Sequence, residues 1–465
     1  MASTYLTRAA TGSVTSDKIF TMSVWLKRSS ITGSGSSDHW FMHENASGHT
    51  QKLDLHFCDD EFRMGWWDGS SEYNLDSKMK FRDTNAWYHI VFRCDTTQAT
   101  ASNRVRVYVN GEQIELQQIG GGSPDAQQPA QNATMDLGTK IICVGRYQAS
   151  SPSQYFNGCM SHMHYCDGQS YAPTEFGETD STTGEWKIKN DPSLTYGNNG
   201  FWLFKNDNAV TNRAAGTSSG NFTVAGGTFT KTQDNPSNNF ATLSPNVLPR
   251  NSGETISNAN LFFGTSAAIW NSESSAFGVA SGKYYFEVKL KDNGTDRRFR
   301  WGMQKNDAIT KTGENKVLGG ADNNAIGYAT AGESASQGIY FINQTSTTMS
   351  DGDINENNAI YGFAIDLDNQ KMYGHFNGTW FHSGNPSAGS GGIDVSSFYT
   401  VGEPLFPSFT VHNSNIELNF GNGYFGTTAV ATNSGNGYQD ADGNGIFNYT
   451  VPTNYRALCT KGLNQ

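Results

Sequence analysis

The chain has 465 residues, 16% of them charged, with a formal net charge of −11. That length supports two or three domains with full cores, while sparse charge disfavours coiled coils and an acidic balance without a basic cluster excludes nucleic acid and anionic lipid as partners. Aromatics at 12% and 51 glycines among many Asn, Ser and Thr favour an all-β protein.

The opening "MASTYLTRAATGSVT" has no apolar h-region, so no signal peptide is expected and synthesis is expected in a cytoplasm. No run approaches membrane-spanning length, so no membrane insertion is expected. "KIFTMSVWLKR" begins a series of strand-like segments separated by polar turns. In "SSDHWFMHEN", Trp40 sits near a turn with Asp38 as a polar neighbour. In "EFRMGWWDG", Phe62, Met64 and Trp66 share one strand face, which puts Trp67 on the other, beside Asp68. Such exposed rings suit stacking on the apolar face of a sugar, although large aromatics more often serve cores and interfaces.

"WYHIVFRCDTTQATASNRVRVYVNG" (87–111) reads as two half-buried antiparallel strands. Tyr88, Ile90, Phe92 and Cys94 fall on one face, and Val105, Val107 and Val109 on one face of the next strand. Asn110-Gly111 supplies a tight hairpin turn. In "CMSHMHYC", Cys159, His162, His164 and Cys166 are the nearest approach to a metal set, and His162, His164 and Cys166 would share a face. A structural zinc needs four converging ligands, and solvated histidines are the expected reading. The six cysteines lack disulfide-framework spacing and are expected to be reduced thiols.

Between "NGFWLFK" and "NFATLSPN" periodicity is lost to small polar residues, predicting a sandwich over 1–204, a connector over 205–240 and a second sandwich over 241–465. In the second region Tyr361, Phe363, Ile365 and Leu367 share a face and Asn377-Gly378 closes the unit, echoing the first hairpin. Trp380 and His382 follow as a further aromatic and polar pair for a sugar. Asp351, Asp353 and Glu356 in "DGDINEN" approach a glycosidase carboxylate pattern, but fall in a loop with no strand to fix their separation. "GNGYFG" satisfies a phosphate-loop spacing without a following helix. "DADGNG" alternates Asp440, Asp442 and Asn444 like the start of a calcium loop, yet Val451 stands where such a loop needs Glu. No cofactor is expected otherwise, and no catalytic residue.

Beyond composition, "FTMSVWLKRS", the stretch 83–111, "VGRYQASSPSQYFNGCMSHMHYCDGQSYAPTEFGETD" and "GEWKIK" resemble the concanavalin A-like, laminin-G-like lectin domain of tailed-bacteriophage virion proteins. "SGKYYFEVKL", "GFAIDLDNQKMYGHFNG", "PLFPSFT", "IELNFG" and "VPTNYRALCTKGL" are similar to the SPRY domain that follows it there. The resemblance implies two jelly-roll-type sandwiches in a non-enzymatic virion protein of the tail, a fibre or an exterior appendage. It implies other virion proteins and like subunits in a symmetric multimer as partners, and a host-surface glycan as ligand. The alternatives are a polysaccharide depolymerase and a capsid decoration protein.

Overall fold

The computed structural model describes residues 4–463, leaving out 10–12, 32–38, 46–50, 68–71, 120–123, 136–139, 148–153, 206–209, 215–219, 246–252, 267, 292–297, 306–316, 321–323, 331–336 and 431–437. It is an all-β protein of two compact units, Met1–Lys231 and Thr232–Gln465.

In the first unit the strands run β1 (Tyr5–Arg8), β2 (Ile19–Arg28), β3 (His39–Asn45), β4 (Gln51–Cys58), β5 (Glu61–Trp67), β6 (Glu72–Lys80), β7 (Trp87–Asp95) and β8 (Val105–Val109). There follow β9 (Glu112–Gln113), β10 (Leu116–Gln118), β11 (Ile141–Val144), β12 (Gly158–Asp167), β13 (Gly177–Thr179), β14 (Trp186–Ile188), β15 (Phe201–Leu203) and β16 (Thr223–Gly226). They form an eight-stranded sheet, β10-β6-β5-β4-β3-β11-β1-β16, and a six-stranded one, β15-β12-β2-β7-β8-β9. Between them lies a core that contains Tyr88, Ile90, Phe92, Cys94, Val105, Val107 and Val109, the residues whose alternation predicts it. Asn110 and Gly111 turn β8 into β9 with φ of 48° and 88°, both left-handed as a tight hairpin requires. Residues 223–226, inside the expected connector, pair with β1 and so add an edge strand to the first unit.

One expectation is corrected here. The strand β7 is buried on both faces, not one. A second layer, built from Phe176, Ile188 and Tyr196, packs on the outer face of the six-stranded sheet around Trp25, Trp87, Val91, Cys166 and Trp202. The Trp186 ring fills the space that side chains at Gly111 and Gly177 would occupy, since a Cβ at either would lie within 2.6 Å of it. Its indole N–H donates to His89 Nδ1 at 2.9 Å, which fixes the His89 proton on Nε2, 2.8 Å from Ser23 Oγ.

In the second unit the strands run β17 (Glu254–Ser257), β18 (Phe262–Thr265), β19 (Trp270–Ser274), β20 (Lys283–Lys291), β21 (Arg298–Lys305), β22 (Ala325–Ala329), β23 (Ile339–Ile342), β24 (Thr345–Thr348) and β25 (Ile360–Asp366). After these come β26 (Lys371–Phe376), β27 (Thr379–Trp380), β28 (Ile393–Asp394), β29 (Leu405–His412), β30 (Asn415–Asn419), β31 (Tyr424–Phe425), β32 (Thr428–Ala429) and β33 (Arg456–Ala457). A nine-stranded sheet follows the path β17-β18-β30-β20-β25-β26-β27, and a six-stranded sheet runs β19-β29-β21-β22-β23-β24. Tyr361, Phe363, Ile365 and Leu367 all enter the core between them. Asn377 and Gly378, with φ of 47° and 85°, turn β26 into β27 as the earlier Asn-Gly turns β8 into β9. The outer face of the nine-stranded sheet is covered by the chain's own C-terminal segment, through Phe447, Val451, Tyr455, Ala457 and Cys459 on Tyr285, Ala364 and Tyr373.

Among the described residues no helix is long and apolar enough to cross a membrane. None of the six cysteines forms a disulfide.

Candidate glycan-binding face

Every second residue of β4 enters the core, as Leu53, Leu55 and Phe57. The residues between them, Asp54 and His56, point to the opposite face of the eight-stranded sheet. Register then aligns polar residues from strand to strand. His43 on β3 lies opposite Asp54, Asp54 opposite Gly65 on β5, and Gly65 opposite Asn74 on β6. One rung along, His56 faces Arg63 and Arg63 faces Asp76.

The row is tied across strands. His43 Nε2 is 2.9 Å from Asp54 Oδ1, with the Tyr147 ring 4.8 Å from the His43 ring. Arg63 donates from Nε and Nη2 to the two oxygens of Asp76 at 2.7 and 2.9 Å, a bidentate pair. Burial, with the charge of Arg63 and then His43 adding to it, holds the His56 imidazole well below its ordinary range. His43, Asp54, His56 and Asp76 are buried, whereas Arg63 and Asn74 are half-exposed. The row therefore closes at β3–β4 and opens at Arg63 on β5 and Asn74 on β6.

Gly65 sits at that opening for a steric reason. A Cβ there would lie 2.6 Å from Asn74 Oδ1 and 3.2 Å from Asp54 Oδ2, so only glycine lets the two side chains converge above the strand. The result is a carboxylate and an amide side by side over a low floor, with Arg63 one rung along the same strand face. Vicinal hydroxyl pairs are bound by such planar groups, which offer donors and acceptors side by side.

The aromatic residues singled out in the sequence lie partly on these strands. Trp40 is opposite His56 and Trp67 opposite Glu72, and for both the structure describes the backbone alone. Asp38 and Asp68 lie outside the described residues. Trp380 is elsewhere, half-buried on the outer face of the nine-stranded sheet, with the His375 ring edge-on at 4.9 Å. That contact makes it part of the layer under the C-terminal segment instead of an open platform. His382 turns the other way, with its N–H donating to Asp351 Oδ1 at 3.0 Å and its ring 5.7 Å from Tyr340.

The carboxylates of "DGDINEN" lie in a loop before β25, as expected, and serve separate partners. Asp351 takes His382, Asp353 accepts from the Asn355 N–H at 2.8 Å, and Glu356 accepts from Asn377 at 3.3 Å.

The oxygens of the calcium-loop candidates are engaged by hydrogen bonds. Asp440 Oδ1 accepts from the N–H groups of Asp442 (3.0 Å) and Asn444 (2.7 Å), and Oδ2 from Ala457 N–H at 3.0 Å. Asp442 pairs with Arg456 at 3.0 Å, and Asn444 Oδ1 accepts from Asn238 at 3.3 Å. These oxygens hold a turn against β33.

The histidines of "CMSHMHYC" are buried, not solvated as expected. His164 Nδ1 is 2.8 Å from Tyr196 Oη, and Cys166 lies among Val91, Phe176 and Trp202. Among the described residues no three His, Cys, Asp or Glu side chains form a metal-holding group.

In the second unit an open cleft of about 490 Å³ is lined by Lys305, Asn324, Asn343, Thr345 and Phe398. Lys305 there is committed to Glu403 at 2.9 Å and to the Phe398 ring at 4.8 Å.

With this geometry in view, residues 2–169 match a family model described as the concanavalin A-like lectin/glucanases superfamily, of laminin G type. The first unit has a concanavalin A-like lectin fold. Among solved structures, a putative carbohydrate binding protein from Bacteroides ovatus is similar at 18% identity, covering 48% of this chain and 56% of its own, with a TM-score of 0.31. Domains LG4-5 of the mouse laminin alpha1 chain match at 9% identity over 87% of this chain and 78% of theirs, with a TM-score of 0.27. The TRIM65 PSpry domain matches at 14% identity over 38% of this chain and 88% of its own, also at 0.27. No curated protein matches the chain.

Sequence reasoning missed the polar row. Its signal was present in "KLDLHF", where polar residues alternate with core residues on a strand, but its meaning depends on register with β5 and β6.

Proposed function

We propose that the protein is a non-enzymatic structural protein of a tailed-phage virion that binds a host-surface glycan through the open end of the first unit's polar row. The observation that carries the glycan reading is the convergence of Asp54 and Asn74 over Gly65, one rung from Arg63, on a lectin fold. The virion reading is supported by the order of segments resembling a lectin domain and then a SPRY domain along the chain. In that role it joins other virion proteins and like subunits in a symmetric multimer, where repetition of a weak site raises avidity about a hundredfold or more.

The non-enzymatic reading is supported by how the carboxylates are used. A glycosidase needs two carboxyl groups flanking one bond at a fixed separation. Asp54 and Asp76 are instead each tied to a side chain on the neighbouring strand, and Asp351, Asp353 and Glu356 serve three different partners.

A glycan array tests the reading. Wild type is expected to retain at least one glycan that Asn74→Ala binds about tenfold more weakly, with no reducing ends released from a polysaccharide panel. Binding to no glycan, or binding unchanged by Asn74→Ala, removes the site. Release of reducing ends restores the depolymerase alternative. Absence of the protein from purified particles overturns the virion role separately.

A further inference from the structure

On the outer face of the first unit's six-stranded sheet, two neighbouring residues carry features that the fold does not require. The strand β12 bulges between Ser161 and His164, and the bulge holds His162 at a left-handed φ of 44°. Non-glycine residues adopt that conformation at an energetic cost, and such strain gathers at binding sites. The His162 Nε2 is buried without a hydrogen-bond partner among the described residues. Trp202, opposite His164 on β15, likewise buries its indole N–H without one. A buried donor left in this way loses its hydration with no return. The His162 and Trp202 rings are 6.4 Å apart.

Two cations stand over the same indole. Lys205 Nζ is 4.9 Å and the Arg213 guanidinium carbon 5.9 Å from the Trp202 ring centre. Lys205 pairs with Asp191, whose side chain is 75% exposed. An exposed carboxylate thus meets a cation at the edge of a pair of buried donors.

We propose that this cluster is an anion site, which takes the carboxylate of a uronic acid or the sulfate ester of an acidic glycan in place of Asp191. With the Ser161 hydroxyl, 2.8 Å from His162 Nδ1, as the donor of that contact, the ring proton lies on the buried Nε2 and is free to be given to a ligand. The indole N–H is a donor only, and Lys205 and Arg213 supply charge. Asp191 acts as the resident stand-in, so the ligand must displace it. The site lies on the six-stranded sheet and is independent of the polar row on the eight-stranded one.

Fluorine NMR of full-length protein labelled with 5-fluorotryptophan tests this, with the Trp202 resonance assigned by Trp202→Phe. Sodium glucuronate and sodium sulfate are titrated separately, and glucose serves as the neutral control. The Trp202 resonance is expected to shift saturably with at least one anion and not with glucose. A response to glucuronate alone assigns the site to uronic acids, and a response to sulfate alone assigns it to sulfate esters. Asp191→Asn is expected to tighten binding, and Lys205→Ala to weaken it about tenfold or more, as loss of a charged hydrogen bond does. No saturable shift with either anion in wild type and Asp191→Asn, or an equal shift in Lys205→Ala, overturns the proposal. Because the probes are simple anions, that outcome leaves the glycan-array result on the other face untouched.

Discussion

In the first unit residues 171–196 cover the outer face of a six-stranded sheet, and in the second residues 438–459 cover the outer face of a nine-stranded one. The two covers use different chemistry. Beneath the first lie the imidazoles of His89, His162 and His164, among indoles and a phenol. Beneath the second lies a carboxylate. Glu287 accepts from Tyr285 Oη (3.0 Å), Asn419 Nδ2 (3.1 Å) and the N–H groups of Asn448 (2.9 Å) and Tyr449 (2.8 Å). The Gly378 N–H donates to His375 Nδ1, which leaves His375 Nε2–H to donate to Tyr285 Oη at 2.7 Å and Tyr285 to donate to Glu287. A carboxylate bound by four donors pins the C-terminal segment to the sheet, whereas the histidine layer combines ring stacking with separate single hydrogen bonds to Ser23, Ser161, Trp186 and Tyr196.

The largest consequence of that difference is in acid. Burial pushes His89 down to about 3 and His162 to about 4, and holds His164 well below its ordinary range. Away from this layer, in the first unit, burial also lowers His39 to about 4. These groups stay neutral when folded but take up protons when unfolded, so the stability they allow is complete above pH 6.5 and is lost as pH falls toward 3 to 4. At pH 4.5 a group such as His89 has withdrawn about 3 kcal/mol, and several together exceed what a domain of ordinary stability can spare.

The second unit balances two opposite effects. His375, lowered to about 3 by burial, removes stability as pH falls below 6.5. Glu287, raised to about 7 by burial against its hydrogen bonds, contributes stability below 4.5 that is lost as pH rises through 7. Between about pH 4.5 and 6.5 the two slopes oppose each other. Scanning calorimetry over pH 4.5 to 7 is expected to show one transition falling steeply with acid and the other nearly level. Two transitions that move in parallel would break the comparison.

Glu287→Ala is expected to lower only the second unit's transition, by about 3 to 5 kcal/mol, because it strands buried donors that now converge on the carboxylate. It also assigns the transitions. Glu287→Gln keeps the volume but removes the opposing titration, so the second transition is expected to fall with acid below pH 6.5 as His375 alone dictates. If the Gln variant's transition stays level, another group is responsible.

How much of this could be read from the sequence differs between the cores and the covers. The core faces of β7, β8 and β25 follow from alternation alone, and both Asn-Gly turns follow from the need for two left-handed residues. These are local rules. The covers are not local. His89 sits on the face that alternation assigns to solvent, and only the packing of residues far along the chain buries it. Asp54 reads as an exposed strand residue until register sets it beside Gly65 and Asn74. Trp380 reads as an exposed ring near a turn until the C-terminal segment closes around it. Asp440 reads as a metal ligand because its spacing is right, yet its oxygens are filled by backbone donors that spacing cannot reveal.

A smaller effect separates binding from stability on the first unit's polar row. Gly65→Val forces the Asn74 side chain from its place over β5. Because Asn74 is half-exposed and its amide can move, the stability cost is expected to be about 1 to 2 kcal/mol. Glycan binding is expected to fall below detection on the array, since the convergence over Gly65 is lost. Calorimetry and the array together check this, and full binding by a folded Gly65→Val protein would move the site elsewhere.

The smallest effect concerns the turn at Asp440–Gly445, and it tests whether hydrogen bonds or a cation hold it. Asp442 is about as exposed as its partner Arg456, with side chains at 29% and 32%, so solvent screens their pairing. Asp442→Ala is therefore expected to cost less than about 1 kcal/mol in the second transition. Asp440 is buried and accepts three backbone N–H groups, so Asp440→Ala is expected to cost more, about 2 kcal/mol. A calcium ion would reverse this order of reasoning. Both aspartates would then be ligands, and their loss would be felt only when the ion is present. Melting in excess calcium and in chelator is expected to give the same midpoint for wild type and both variants. A wild-type midpoint that rises by several degrees with calcium, and a rise that Asp442→Ala abolishes, would return the loop to the cation reading that its spacing suggests.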